Sequence, residues 1–120
     1  MNELVRKTVQ QSRSLITNSS SRTTKALARD KEGNAVNPLS KAATCWCAKG
    51  AVMKTAFELA LHRANASLLS DLAIARLNSA AVRISGDPEK VASDINDSEG
   101  HSRTLDMFDA ALTLPAQTAP

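Results

Sequence analysis

Apolar residues recur at helical spacing from the start of the chain, which predicts a first helix over residues 2–17. At steps of four, three and four residues, its narrow apolar stripe consists of Val5, Val9, Ser12 and Ile16. The polar residues 18–21 end this helix, because short polar side chains compete for backbone hydrogen bonds.

The same spacing predicts a second, central helix from about Lys41 to His62, with Asn37 or Ser40 as its N-cap. The residues expected on its inward face are Trp46, Gly50, Met53, Phe57, Ala60 and Leu61. Gly50 on that face permits another helix or a hairpin to approach closely. Trp46, the only tryptophan, is expected in the core rather than as an exposed contact residue.

A third helix is predicted over residues 64–84. Its expected inward stripe comprises Leu68, Leu69, Leu72, Ala73, Leu77, Ala80 and Ile84. The segment 86–89, with Pro at the first helical position, starts a short helix that ends near Ile95. A polar turn then follows over residues 96–100.

A last helix is predicted over residues 102–114. Its inward residues are Leu105, Phe108, Ala111 and Leu112. Pro115 stops this helix, and residues 115–120 are expected to be a flexible tail.

The segment 25–36 differs from the rest, because Gly33 in its middle favours a short β-hairpin. The predicted fold class is therefore mainly α, a compact bundle of four to five helices with a short β-hairpin near residues 25–36. Residues 1–114 are expected to form a single helical domain, or alternatively residues 1–20 pack separately as a basic helix.

The composition fits this plan: 42% of the 120 residues are hydrophobic but only 2% are aromatic, so small aliphatic side chains must build the core. No apolar stretch is long enough for a membrane span, and no secretory signal is predicted. Cys45 and Cys47 are too close for an ordinary disulfide and are expected to be reduced thiols. These features favour a cytoplasmic protein without membrane contact.

The net charge of +3 conceals a basic start and an acidic end. The basic residues that could grip phosphates near the start are Arg6, Lys7, Arg13, Arg22, Lys25 and Arg29. No aromatic side chain for base stacking occurs in residues 1–45. A nucleic-acid interface therefore stays an alternative to the simpler interpretation, in which the basic and acidic ends attract each other within the fold.

Three stretches occur in a distinctive order. Residues 28–38 read A-R-D-x-x-G-x-x-V-x-P, residues 43–51 read A-x-x-W-C-x-x-G-A, and Asn96-Asp97 precedes the last amphipathic helix. This order resembles a family of small bacterial and phage proteins catalogued only as a domain of unknown function. The chain departs from that pattern by an extra Cys45 and a basic, Ser-rich start.

The resemblance implies no activity. It does imply a structural motif, and the positions it points to are Trp46, Cys47, Gly50, Asn96 and Asp97.

Metal binding by the two cysteines with His62 or His101 is not predicted. On the predicted helix, the thiols of a Cys-x-Cys pair point about 200° apart, and no second cysteine pair exists. The segment from Asp94 to Leu105 resembles a calcium loop but lacks Gly at its sixth position and Glu at its twelfth. No metal or other cofactor is therefore expected.

Asn96 and Asp97 are instead expected to form an Asx-type turn or cap before the last helix.

A catalytic alternative uses Cys47 as a nucleophile, His101 as its base, and Asn96 or Asp97 as the orienting group. The simpler interpretation makes Cys47 a small buried apolar residue.

The sequence thus favours a small interaction or regulatory protein without enzymatic activity, of bacterial or phage type, that binds an unknown protein partner or itself. The nucleic-acid-binding protein and the thiol enzyme are its alternatives.

Overall fold

The structure, a computed structural model, describes residues 2–115, which form five α-helices. They are α1 (Glu3–Leu15), α2 (Ala48–Leu59), α3 (Arg63–Ser85), α4 (Ala92–Ser98) and α5 (Gly100–Thr113). Two short strands, β1 (Ala28–Arg29) and β2 (Cys45–Trp46), pair antiparallel. The predicted mainly α fold is confirmed, whereas the tail beyond Pro115 lies outside the described residues.

Helix α1 forms as predicted. The Asn2 side chain caps it by accepting hydrogen bonds from the Leu4 and Val5 amides at 2.7 and 3.4 Å. All four residues of the expected apolar stripe are buried. At the buried face, the Ser12 hydroxyl lies 3.4 Å from the Ala51 carbonyl oxygen, which places α1 against α2.

The predicted second helix is wrong at its start. Cys45 and Trp46 are extended and pair with Ala28–Arg29, so α2 begins only at Ala48. The predicted caps hold short turns instead: the Asn37 side chain accepts from the Leu39 amide, and the Ser40 hydroxyl accepts from the Ala42 amide.

Trp46 is nevertheless in the core, with only 8% of its surface exposed. Its indole N–H donates to the Pro38 carbonyl at 3.0 Å. The prediction of burial is confirmed, but the expected inward seam from Trp46 to Phe57 does not lie on a single helix, because Trp46 is on β2. Leu61 follows the end of α2 and is exposed rather than inward.

The predicted hairpin is present, but residues 34–36 do not form a regular strand. The Asp30 amide donates to the Asn34 carbonyl at 2.9 Å, and an isolated bridge joins Arg29 to Ala35. The Asp30 carboxylate fixes this turn by accepting from the Glu32 amide at 3.0 Å. The regular partner of β1 is the distant strand β2 rather than the adjacent segment.

Helix α3 has the predicted bounds to within a residue and ends at Gly86, whose φ is +73°. The assignment of its inward stripe is wrong at two positions. Leu69, Ala73, Leu77 and Ala80 are buried, but Leu68 and Leu72 point to the surface. Two apolar rows satisfy helical spacing on this helix, and the sequence pattern merged them.

The predicted short helix begins later than expected, at Ala92, and residues 87–89 form a turn. The Asp94 carboxylate accepts from the Val91 amide at 3.1 Å and stabilises this start. As a consequence, Asn96 and Asp97 lie on α4 and not in a polar turn before α5. Helix α5 follows at once and buries Met107 and Phe108 in the core.

A buried cation ties α3 to the end of α5. The Arg76 guanidinium donates to the carbonyl oxygens of Ala111 and Leu114 at 2.9 and 2.6 Å. Burial lowers the pKa of Arg76, and the charge of Arg6 lowers it further. The carbonyls at the C-terminal end of a helix carry partial negative charge, which stabilises a cation there.

Among residues 2–115, no helix is both long enough and apolar enough to cross a membrane.

Gly50 permits the close approach that its position suggested. A Cβ atom at this residue would overlap the carbonyl oxygen of Leu27, just ahead of β1. The backbone of the β1 segment therefore lies directly on the first turn of α2.

We expect Gly50→Ala to lower the free energy of unfolding by about 3 kcal/mol, because the backbone of residue 27 must move to accept the methyl group. Urea unfolding followed by circular dichroism measures this loss. Gly86→Ala is the control. Its methyl group would contact no neighbouring atom, and the left-handed backbone at this position costs an alanine only about 1 kcal/mol. Equal losses in the two variants would contradict the close approach.

Candidate functional site

A cavity of about 290 Å³ lies at the start of α2. Three segments line it: residues 25–27 ahead of β1, residues 47–49 at the start of α2, and Ser93, Asn96 and Asp97 of α4. The cavity therefore brings together three of the positions that the resemblance pointed to, namely Cys47, Asn96 and Asp97.

Asn96 is the buried connector of this site. Its Oδ1 accepts from the Ala48 amide at 3.1 Å, and its Nδ2 donates to the Thr23 carbonyl at 3.0 Å. The Arg22 guanidinium donates to the Asn96 carbonyl at 2.6 Å. The predicted cap before α5 is therefore wrong: Asn96 caps α2, because α4 presents its side chain to the first free amide of that helix.

Asp97 holds the loop ahead of β1. Its Oδ1 accepts from the Lys25 amide and from the Asn96 side-chain amide, both at 3.0 Å. Lys25 has a φ of +61°, which is unusual for a residue with a side chain. The bond to Asp97 fixes the amide of this left-handed residue, so Asp97 positions the loop.

Cys47 is the N-cap of α2, and its thiol serves the helix. The Sγ atom accepts from the Gly50 amide at 3.3 Å. Burial raises the pKa of this thiol, and the amides of Gly50 and Lys49 only partly oppose that effect. A thiol that is buried, protonated and engaged in capping is a poor nucleophile, as the simpler interpretation of Cys47 expected.

His101 does not take part in the cavity. Its Nε2 lies 2.7 Å from the Ile16 carbonyl oxygen, at the far end of α1. The structure therefore brings Cys47 together with Asn96 and Asp97 but not with the predicted base. The proposed catalytic set is not assembled, because His101 joins α5 to α1 instead.

The two cysteines have different surroundings. Cys45 lies on β2 with its Sγ 3.9 Å from the Arg29 carbonyl oxygen, whereas Cys47 caps α2. The prediction that Cys45 and Cys47 lie together on one helix is therefore wrong. Among the residues that the structure describes, no three His, Cys, Asp or Glu side chains are grouped as metal ligands.

Three of the six basic residues near the start are engaged within the fold. Arg13 forms an ion pair with Asp109 at 2.7 Å. Arg22 binds the backbone of α4, and Arg29 donates to the Thr24 and Gly33 carbonyls at 3.1 and 3.0 Å. The ion pair between Arg13 and Asp109 is an instance of the expected attraction between the basic start and the acidic end.

The sequence pattern missed an exposed apolar surface, which we call the leucine face and define as the side chains of Leu4, Leu68 and Leu72. Their exposed fractions are 41%, 59% and 47%. They border a groove of about 190 Å³ between the start of α1 and the first half of α3, where Asn65 and Leu69 also lie. The signal in the sequence was the excess of apolar residues around α3, more than one inward stripe needs.

No known protein family, curated protein or solved structure matches the chain. The resemblance to small bacterial and phage proteins therefore remains a proposal.

We expect Asn96→Asp to lower the free energy of unfolding by about 2 kcal/mol. A carboxylate still accepts from the Ala48 amide, but it cannot donate to the buried Thr23 carbonyl. The matched control is Asn78→Asp, whose side chain accepts from the Ala92 amide at 2.8 Å at the start of α4, where a negative charge is favourable. If thermal unfolding showed the same loss of stability in both variants, the role of Asn96 as a connector would be refuted.

The capping thiol makes stability depend on pH. Because the folded-state pKa of Cys47 lies above its ordinary value of 9.0, its stabilising effect is complete below pH 9.0. That effect is lost as the pH rises from 9.0 through the folded-state pKa. We therefore expect the free energy of unfolding to fall more steeply with pH in the Cys45→Ser protein than in Cys45→Ser with Cys47→Ser. Parallel pH profiles from urea unfolding would contradict this assignment.

Proposed function

We propose that this protein is a small, non-enzymatic interaction protein whose contact surface is the leucine face. The observation that carries the proposal is the position of Leu68 and Leu72, two large apolar side chains that are 59% and 47% exposed on the surface of α3. Clustered apolar exposure next to a groove is typical of surfaces that bind other proteins.

Helix α3 supports the proposal because it carries a second row of apolar residues besides the inner one. Its inner row, which includes Leu69, Ala73 and Leu77, is buried against the rest of the domain. Its outer row runs along the opposite side through Ala64, Leu68, Leu72, Ala75 and Val82. The chain covers the inner row but leaves the leucines of the outer row exposed, with Asn65 and Asp71 beside them.

The charges around the outer row also favour a protein partner. Among the described side chains on the outer side of α3 from residue 64 to residue 75, Asp71 is the only charged one. Phosphate binding needs clustered basic side chains, so this surface does not suit nucleic acid.

The alternatives have less support. The nucleic-acid hypothesis is weakened because Arg13, Arg22 and Arg29 already form contacts within the fold. The thiol-enzyme hypothesis loses its base, because His101 bonds to the end of α1. The free thiols of Cys45 and Cys47 support a location in the reducing cytoplasm, and the motif order supports a bacterial or phage origin.

The proposal is tested by placing a photoreactive amino acid at position 68 in cells that express the protein. We expect irradiation to give a discrete crosslinked product, because Leu68 lies at the centre of the leucine face. The matched control places the same amino acid at Glu32, which is exposed in the turn after β1. Equal crosslinking at positions 68 and 32, or none at 68, would overturn the proposed contact surface.

A further inference from the structure

We propose that residues 116–120 of this chain lie along α3 and cover the leucine face, so that a partner must displace them. The inference goes beyond the proposed function, because it gives the groove beside the leucine face an occupant from the chain itself. Three properties of the segment after α5 support this path: its starting point, its reach and its side chains.

The end of α5 directs the chain towards the groove. Near the start of α5, Arg103 donates to the Ile84 carbonyl at 2.6 Å. Near its end, the Ala111 carbonyl accepts from Arg76 at 2.9 Å, so the two helices run antiparallel. Arg76 also donates to the Pro115 carbonyl at 3.2 Å, which holds the chain beside α3 after the helix has ended. A chain that continues in the direction of α5 therefore passes over the part of α3 that precedes Arg76.

The groove lies on that part of α3. At 100° per residue, Arg76 is about 20° from Leu69 and about 40° from Leu72 around the helix, so all three point to the same side. Leu69 and Leu72 line the groove, and both precede the level at which α5 ends. The groove therefore continues the path that α5 follows along α3.

The length of the segment matches the groove. Asn65, at the far end of the groove, lies eleven helical steps before Arg76, which is about 16 Å along the axis. In an extended conformation, residues 116–120 span about 16 Å. Leu114 already has an extended backbone with a ψ of 142°, as is typical of a residue that precedes proline. Five residues therefore suffice to follow the groove along its length.

The side chains of residues 116–120 suit an apolar surface, since the sequence A-Q-T-A-P carries no charged side chain. Successive side chains of an extended segment point to opposite sides. Ala116, Thr118 and Pro120 therefore share one side, while Gln117, the most polar of the five, lies on the other. With the first side against the leucine face, the segment covers apolar surface and leaves Gln117 in water.

Methyl NMR of the purified full chain tests this path. Nuclear Overhauser effects are expected between the methyl groups of Leu68 and Leu72 and the protons of residues 116–120. The methyl shifts of both leucines are expected to change in a chain that ends at Pro115, which keeps all the carbonyl contacts of Arg76. Leu39, an exposed leucine in the loop before β2, is the control, and its methyl shifts are expected to stay the same.

Two substitutions in the full chain test which side of the segment faces the groove. Thr118→Asp places a carboxylate against the leucine face, where the loss of water is unfavourable, so the leucine shifts are expected to move to those of the shortened chain. Gln117→Asp is the matched control and is expected to keep the shifts of the full chain. Absence of the Overhauser effects, or identical leucine shifts in the full and shortened chains, would overturn the inference. Equal effects of the two substitutions would overturn the proposed orientation.

Crosslinking at position 68 in cells tests the competition with a partner. Removal of residues 116–120 is expected to raise the yield of the crosslinked product about threefold, because the uncovered form is then the only one present. An unchanged yield would overturn the displacement. Overhauser effects without any crosslinked product support the cover and overturn the proposed contact surface. A crosslinked product specific to position 68 without Overhauser effects overturns the cover and retains the contact surface.

Discussion

The fold depends on one buried amide side chain. Asn96 uses its acceptor on the first amide of α2 and its donor on the Thr23 carbonyl, and so it joins α4, the loop after α1 and α2. Segment 17–47 contains little regular structure of its own and needs such an anchor. Inside the protein, each of these groups would cost free energy if it were left unpaired. The side chain therefore determines where the irregular third of the domain sits on the helices.

Local spacing was sufficient to locate α1, α3 and α5, because apolar side chains three and four residues apart are typical of a helix. It was insufficient at the start of α2, where Cys45 and Trp46 pair with residues 28–29. That pairing joins segments about seventeen residues apart, and no residue close to Cys45 in the sequence indicates it. The role of Asn96 was missed for the same reason: its partners come from two other parts of the chain, while its immediate neighbours resemble a turn.

The leucine face illustrates a different limit of the sequence. Leu68 and Leu69 are adjacent, and both fit a helical apolar stripe, yet one is exposed and the other is buried. Only the packing of α2, α5 and α1 on α3 selects the inner row. Ala73 and Ala80 of that row allow close contact with the neighbouring helices, whereas Leu68 and Leu72 of the outer row stay exposed. The same composition that makes the core compact thus creates an apolar exterior.

The contacts of Asn96 span 48 and 73 positions of the chain. They hold segment 17–47 over the first turn of α2. Opening of that segment alone, without unfolding of the bundle, uncovers the Cys47 thiol. Oxidation of this cysteine therefore depends on local opening of segment 17–47, and so on the bonds from Asn96 and Asp97 that hold the segment in place.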